Sequence, residues 1–402
     1  MTPYSAGAWA YGGIPRLADT IARGLARRGH HVTVCTTDAH DSESRLASPA
    51  GYSRWRARAA KAADGVECLI FPNISNRLAY HLQLFLPLGL DKYLKRNAGS
   101  FDVAHLHACR NVPGVLAARH LRRRGIPYVI APNGTAPRIE RRRLSKLAFD
   151  LVAGRRVLDG AARVVAVSKA ECHQLADLGV PAEAIRLIPN PLDLGEFAQP
   201  PVPGAFRRRF ALPAGPVVLF LGKLTPRKRL DVLVRAFARI ARTDTSLVIA
   251  GNDMGALGAT QSIVRTLGLD NRIFFTGLLR GRERLDALTD ADVVVYPSEH
   301  EIFGLVPLEA LLSGTPVVVA DDSGCGEIVG ATGGGRVVAL GDAVALAGAI
   351  DEVLSDPARW HREAADAATR VRTLYGDEVV CAQLEQLYCE LVAKPAPERS
   401  AR

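Results

Sequence analysis

The sequence predicts an α/β fold: two Rossmann-like, doubly wound domains facing each other across a cleft. Three observations predict it. The chain has 402 residues, too many for one ordinary domain and fitting two of about 200. Short β-branched runs alternate with longer helical patterns, as in parallel sheets covered by helices on both faces. The alternation occurs twice, on either side of PNPLDLGEFAQPPVPGAFRRRFALPAGP, whose proline and glycine density is that of a linker. Residues 1–192 and 193–375 are therefore read as the two domains. An amphipathic helix over 376–393 is expected to pack back on the first domain, and 394–402 to form a disordered tail.

In chain order, the expected strands are His31–Cys35, Val103–His107, Tyr128–Ala131, Arg163–Val167, Val217–Leu221, Leu247–Ala250, Ile273–Thr276, Asp292–Tyr296 and Val317–Ala320. Many are continuous apolar runs, as for strands buried on both faces. Helical patterns between them include Leu17–Arg28, Leu230–Arg242 and Glu283–Leu288. The segment 77–96, RLAYHLQLFLPLGLDKYLKR, mixes apolar residues with flanking bases. It reads as a core-facing helix of the first domain or as a membrane-docking segment. At the start, only Met1–Tyr4 remains of the strand that the first helix should follow. The expectation is that the natural protein carries several more residues upstream.

Composition is globular, 48% hydrophobic and 23% charged. No apolar run approaches the ~20 residues needed to span a bilayer. The seven cysteines are scattered without a CxxC pair, so neither a zinc cluster nor a disulfide framework is indicated, and a reduced, cytoplasmic protein is expected. The net charge of +10 lies wholly in the first half, where residues 1–200 hold 28 Lys and Arg against 16 Asp and Glu. It concentrates in Arg122, Arg123 and Arg124 and in Arg138, Arg141, Arg142, Arg143, Lys146, Arg155 and Arg156. This is either a solvated face or a surface for anions, including peripheral contact with the inner face of an anionic membrane. Nucleic acid is not expected, because no stacking aromatics interleave the bases.

The chemistry centres on EIFGLVPLEALLSG, residues 301–314. Pro307 suits a first helical position and Gly314 the residue past the end. The residue before a proline avoids the helical region, so Val306 is expected to be extended. Glu301 then lies in the loop after a strand, and Glu309 in the first turn of a helix. A helix N-terminus offers free N–H groups to phosphate, and neighbouring carboxylates accept from sugar or ribose hydroxyls. That combination suits a nucleotide sugar. GKLTPRKRLD, residues 222–231, follows a strand directly. Its Lys223 and Lys228 can neutralise a diphosphate and stabilise it as a leaving group, although a charged helix lead-in would look the same. In FDVAHLHACRN, strand alternation puts His105 and His107 on one face, with His107 at the carboxyl end. Gly12 and Gly13 of YGGI, before the first helix, allow close backbone approach to a ligand or simply a turn. The lone DxD, Asp290-Ala291-Asp292, sits at a helix-to-strand junction and reads as structural.

Together these motifs resemble the retaining glycosyltransferases of family four, which have the GT-B fold. The resemblance runs in order through ARGLARRGHHVTVCTT, FDVAHLH, VVAVSKAE, IPNPLD, FLGKLTPRKRLD, LVIAGND, IFFTGLL and SEHEIFGLVPLEALLSGTPVVVADDSGCGEIV. The last carries the family's E-x7-E signature. The resemblance implies that Glu309 holds the donor ribose and Glu301 the transferred sugar. The amides of Phe303, Gly304 and Leu305, with Val306, surround sugar and phosphates. Lys223 and Lys228 grip the diphosphate, Phe275, Gly277 and Leu278 border the base, and Gly13 lets the first, acceptor-side domain close on phosphate. His107 lies beside donor sugar and acceptor. A UDP- or GDP-linked sugar as donor, a glycan or lipid-linked sugar as acceptor, retention of configuration and no metal or other cofactor are implied as well. Lys223 stands where arginine is usual, Arg229 where glycine is usual, and Asn190-Pro191 where Asn-Gly is usual. A nucleotide-sugar 2-epimerase or sugar phosphorylase of the same fold is the alternative enzyme, and an anionic-surface scaffold the non-enzymatic one. A nucleotide-binding oxidoreductase lacks the GxGxxG it would need after a strand.

Overall fold

The structure, a computed structural model, describes residues 1–8, 11–41, 44–46, 58–61, 65–137, 147, 149–199, 201–321 and 324–393. The arginines and lysine at 138–146 and the tail 394–402 lie outside the described residues. The chain forms two compact units, Met1–Pro191 with Asp377–Arg402, and Leu192–Gly376.

In the first unit, β1 (Thr33–Thr37), β2 (Arg58–Lys61) and β3 (Glu67–Phe71) make a three-stranded sheet in the order β1-β3-β2. Strands β4 (Ala104–His107), β5 (Tyr128–Ala131), β6 (Arg163–Ala166) and β7 (Ile185–Leu187) make a parallel sheet in chain order. Met1 and Thr2 bond to both sheets. Thr2 donates to the carbonyl of Cys35 and His107 to that of Met1, at 3.1 and 3.0 Å. The pairing of β2 with β3 is antiparallel and departs from the all-parallel expectation. The link 62–66 between them is too short for the helical crossover a parallel pair requires.

The helix Gly13–Arg27 begins four residues before the predicted start. Pro15 is accommodated because the first turn of a helix has no use for its missing N–H. Leu17, Ile21 and Leu25 pack with Val129 and Val165 and with Val380, Leu384, Leu387 and Leu391 of the helix Asp377–Ala393. The two helices approach at Gly24, where a Cβ would stand 2.4 Å from the Cys381 sulfur. Arg27 pairs with Asp377, and Arg28 and His30 with Glu385.

The segment 77–96 is not one helix but two, Asn76–Leu82 and Leu90–Asn97. Gln83 takes a left-handed conformation that ends the first, and Pro87 cannot continue it. Phe85, Leu90 and Leu94 are buried in the core, while Leu82 is exposed. Among the described residues, no helix is long and apolar enough to cross a membrane.

The second unit holds β8 (Val217–Leu221), β9 (Ser246–Ala250), β10 (Ile273–Gly277), β11 (Val293–Tyr296), β12 (Val317–Asp321) and β13 (Gly335–Ala339). They form one parallel sheet in the order β10-β9-β8-β11-β12-β13. Every residue of β8, β9 and β11 is buried, as both-face coverage demands. The chain leaves β8 toward β9 and returns on its other side at β11. This reversal is the topological switch point, where such sheets bind ligands beyond the carboxyl ends of their strands. The helix predicted as Leu230–Arg242 ends at Phe237, with Arg239 and Ile240 closing it through tighter i to i+3 bonds.

Candidate active site

Two segments flank the switch point. The first runs from Gly222 after β8, the second from Pro297 after β11. The N–H of Glu299 donates to the carbonyl of Arg227 at 2.8 Å, and that of Cys325 to Glu301 at 3.0 Å, so the two loops and the start of the helix Gly324–Thr332 are tied together. On the β9 side, the Leu224 N–H donates to Asn252. A Cβ at Gly251 would stand 1.7 Å from the Gly222 carbonyl oxygen, so only glycine permits that approach.

Lys228 and Glu301 meet between these loops. Lys228 Nζ donates to Glu301 Oε2 at 2.5 Å and also to the Tyr296 hydroxyl. Nζ lies 4.2 Å from the Tyr296 ring centre, and the Tyr296 hydroxyl lies 3.3 Å from the same Glu301 oxygen. Lys228 is 6% exposed, while the Glu301 side chain keeps 19% of its surface open. Burial pushes the Glu301 carboxyl up, but Lys228, then Arg227 and Lys223, outweigh it and hold it below the ordinary range. Burial, helped by Glu301, drives the Tyr296 phenol well above its ordinary value. The site therefore presents an ionised carboxylate, a neutral phenol and a cluster of cations. Lys223 is half-buried beside it. Arg229, in the place of the family's glycine, takes the left-handed conformation (φ 49°) that glycine would favour and pairs with Asp231 at 3.1 Å.

The helix beyond Glu301 spans Leu305–Leu312, capped by Gly304 at φ 77°. A Cβ at Gly304 would meet the Cys325 sulfur at 2.6 Å. Two expectations are corrected here. Val306 is helical rather than extended, and Glu309 is the fifth helical residue, beyond the first turn. Pro307 sits in the first turn, where its missing N–H costs no bond, and that tolerance prevails over the pre-proline bias. The amides of Phe303, Gly304 and Leu305 belong to this loop-to-helix junction, as expected. Phe303 is buried, edge-on to Tyr375 at 5.6 Å.

Glu309 is 1% exposed and bonds to Nη1 of Arg284, whose Nη2 bonds to Glu196. Sequence reasoning missed Arg284, Tyr296 and Glu196. Arg284 lies in GRERLDALTDAD, a segment whose charges read as solvent-facing. Phe275 and Gly277 close β10, and the Gly277 carbonyl accepts from Gly251 at 2.8 Å. Leu278 follows directly and is half-buried, so the β10 end reaches the same edge of the sheet. Asp290 accepts from the N–H groups of Gly204, Phe206 and Arg207. Asp292 pairs with Arg207 at 2.6 Å and accepts from Val217, so the DxD carboxylates hold the helix Ala205–Arg209 to the sheet. Among the described residues, no group of three or more His, Cys, Asp or Glu is placed to hold a metal ion.

In the first unit, His107 ends β4, 5% exposed, its ring stacked 4.3 Å from that of His105. Burial, then His105 and the Met1 amine, lowers its pKa far enough to keep the ring neutral. Its Nδ1 is buried without a hydrogen-bond partner among the described residues. His105 bonds to the Tyr388 hydroxyl at 2.6 Å and is structural. Gly12, at φ 91°, caps the first helix, and Gly13 is its first residue. Glu171, fully buried, accepts from Gly134 and Val167 and fixes the loop after β5.

Comparisons with known proteins agree with this arrangement. Residues 205–372 match the model described as glycosyl transferases group 1, and residues 11–196 that described as glycosyltransferase family 4. The D-inositol 3-phosphate glycosyltransferase of Acidothermus cellulolyticus is 30% identical, over 86% of this chain and 78% of that protein. Its namesake from Kineococcus radiotolerans is 29% identical over 97% and 93%. Among solved structures, sucrose-phosphate synthase from Thermosynechococcus elongatus superposes with a TM-score of 0.74 at 24% identity, over 98% of both chains. Anabaena HepE in complex with UDP and glucose gives 0.73 at 18% identity, over 97% and 98%. The chain belongs to glycosyltransferase family 4 and is a glycosyltransferase of the GT-B fold.

Proposed function

We propose that the enzyme transfers a hexose, with retention of anomeric configuration and without a metal, from a UDP- or GDP-linked sugar to an acceptor hydroxyl. The observation that carries this reading is the buried Lys228–Glu301 pair beside the glycine-capped start of the helix Leu305–Leu312, at the sheet's switch point. Glu301 receives hydroxyls of the transferred sugar and Glu309 those of the ribose. Phe275, Gly277 and Leu278 border the base. Lys223, Lys228 and the amides around Gly304 receive the diphosphate. As the bond between the anomeric carbon and the diphosphate oxygen breaks, these cations and dipoles stabilise the negative charge on the leaving group. The acceptor oxygen bonds to the anomeric carbon on the same face, and its proton passes to the departing diphosphate. No side-chain base is required.

The acceptor is a glycan, a lipid-linked sugar or, as the names of the relatives suggest, a polyol phosphate. An assay with UDP- and GDP-sugars against an acceptor panel that includes D-inositol 3-phosphate tests the reading. Transfer with product of the donor's anomeric configuration is expected, and an inverted product would refute it. Conversion of donor alone would instead indicate an epimerase, and a requirement for inorganic phosphate a phosphorylase.

A peripheral position at the inner face of a membrane is supported by Arg119, Arg122, Arg123 and Arg156, which rim a groove floored by Val115, Ala118 and Val157. Flotation with anionic liposomes checks it, and a lack of salt-sensitive binding would rule it out.

A further inference from the structure

We infer that Arg284 is a positioning residue for the donor site: it fixes the carboxylate of Glu309 that receives the ribose. The inference rests on the ribose role proposed for Glu309. Arg284 lies on the helix Arg282–Asp290, outside the loops that carry the family motifs. Its residue is 4% exposed and Glu309 1%. A carboxylate so deeply buried is costly without a cation beside it. Arg284 supplies the cation through Nη1.

The guanidinium is also held from its other end. Nη2 bonds to Glu196, in the turn Leu194–Phe197 that opens the second unit. Thr315 donates to the carbonyl of Leu288 at 2.6 Å, which ties the Arg284 helix to the end of the Glu309 helix. The third nitrogen, Nε, is buried with no hydrogen-bond partner among the described residues. A buried guanidinium that leaves Nε unmet to span two carboxylates is set by those two contacts rather than by general packing. Lysine cannot reproduce this, since one ammonium lacks the fork.

The test is the ratio of dissociation constants for 2′-deoxy-UDP and UDP, with the GDP pair in parallel, measured by calorimetry on wild type and Arg284→Met. Wild type should prefer the ribonucleotide about tenfold or more, as expected for hydroxyls on a carboxylate acceptor. In Arg284→Met the preference should fall toward unity while diphosphate affinity persists, a pattern that a merely destabilised fold does not produce. An unchanged preference in the variant would overturn the inference. If Arg284→Met does not fold, Arg284→Lys carries the test: a reduced preference supports the role of the fork, and a full wild-type preference overturns it. Absence of any preference in wild type would instead refute the ribose role of Glu309, and the inference with it.

Discussion

At the scale of single residues, the site rests on two buried ion pairs, Lys228–Glu301 and Arg284–Glu309. Lys228 is the partner of both Glu301 and the Tyr296 hydroxyl, so its removal takes from the Glu301 carboxylate its direct cationic partner. Lys228→Ala should lower kcat/KM by about 10²- to 10³-fold, the range for losing one electrostatic contact to a developing anion. Steady-state kinetics with a nucleotide sugar decides this, and undiminished transfer would remove Lys228 from the site. The pH dependence has a definite sign. The folded-state pKa of Glu301 is depressed below its ordinary 4.5. Its stabilising contribution is therefore present above that value and lost as pH falls through the folded one. The destabilisation caused by Glu301→Gln should be constant from neutral pH down to about 5 and shrink in stronger acid, as read from denaturant unfolding at each pH. That Glu301 lies in a loop and Glu309 in a helix was legible because Pro307 and Gly314 each fall within two residues of a helix end. Arg284 was not, because a charge on an amphipathic helix carries no sign of whether a second buried acid will meet it.

At the scale of elements, all nine predicted strands exist, with ends shifted by two residues or fewer. Their continuous apolar runs leave little choice when both faces of a sheet are covered. The missed strands are β2, β3, β7 and β13. No residue of Gly335–Ala339 is buried, and Ile185–Leu187 has three residues. Such pieces are fixed by the neighbour they pair with and not by their own pattern. The start of the helix Leu305–Leu312 was misplaced by two residues because the pre-proline bias was weighed above the freedom of a first turn. The close crossing of Gly13–Arg27 and Asp377–Ala393 was invisible, since nothing in the sequence says that Gly24 faces Cys381. Gly24→Ala should cost about 1–3 kcal/mol through overpacking. Adding Cys381→Ala should recover part of that loss, and a double-mutant cycle by thermal unfolding measures the coupling.

At the scale of the whole molecule, two doubly wound units were readable from length and from the repeated alternation around a proline-rich break. Chain order in the second unit gives the strand order that makes a switch point, and the family's motifs fall at its edge. In the proposed mechanism side chains and a helix start stabilise the leaving group, so EDTA should leave transfer undiminished. Loss of activity in EDTA, restored by a divalent cation, would refute the metal-free reading. The +12 excess in residues 1–200 was legible, but part of it falls on residues 138–146, outside the described structure.

The central claim is that the second unit binds a nucleotide sugar at its switch point. Thermal unfolding of wild type and Glu309→Ala with a panel of UDP- and GDP-sugars tests it most directly, because a ligand that binds only the native state raises stability. The account predicts a saturable rise in Tm for wild type with at least one donor, and a rise in the variant only at much higher donor concentration. No rise with any nucleotide sugar, or an identical response in both proteins, would contradict it.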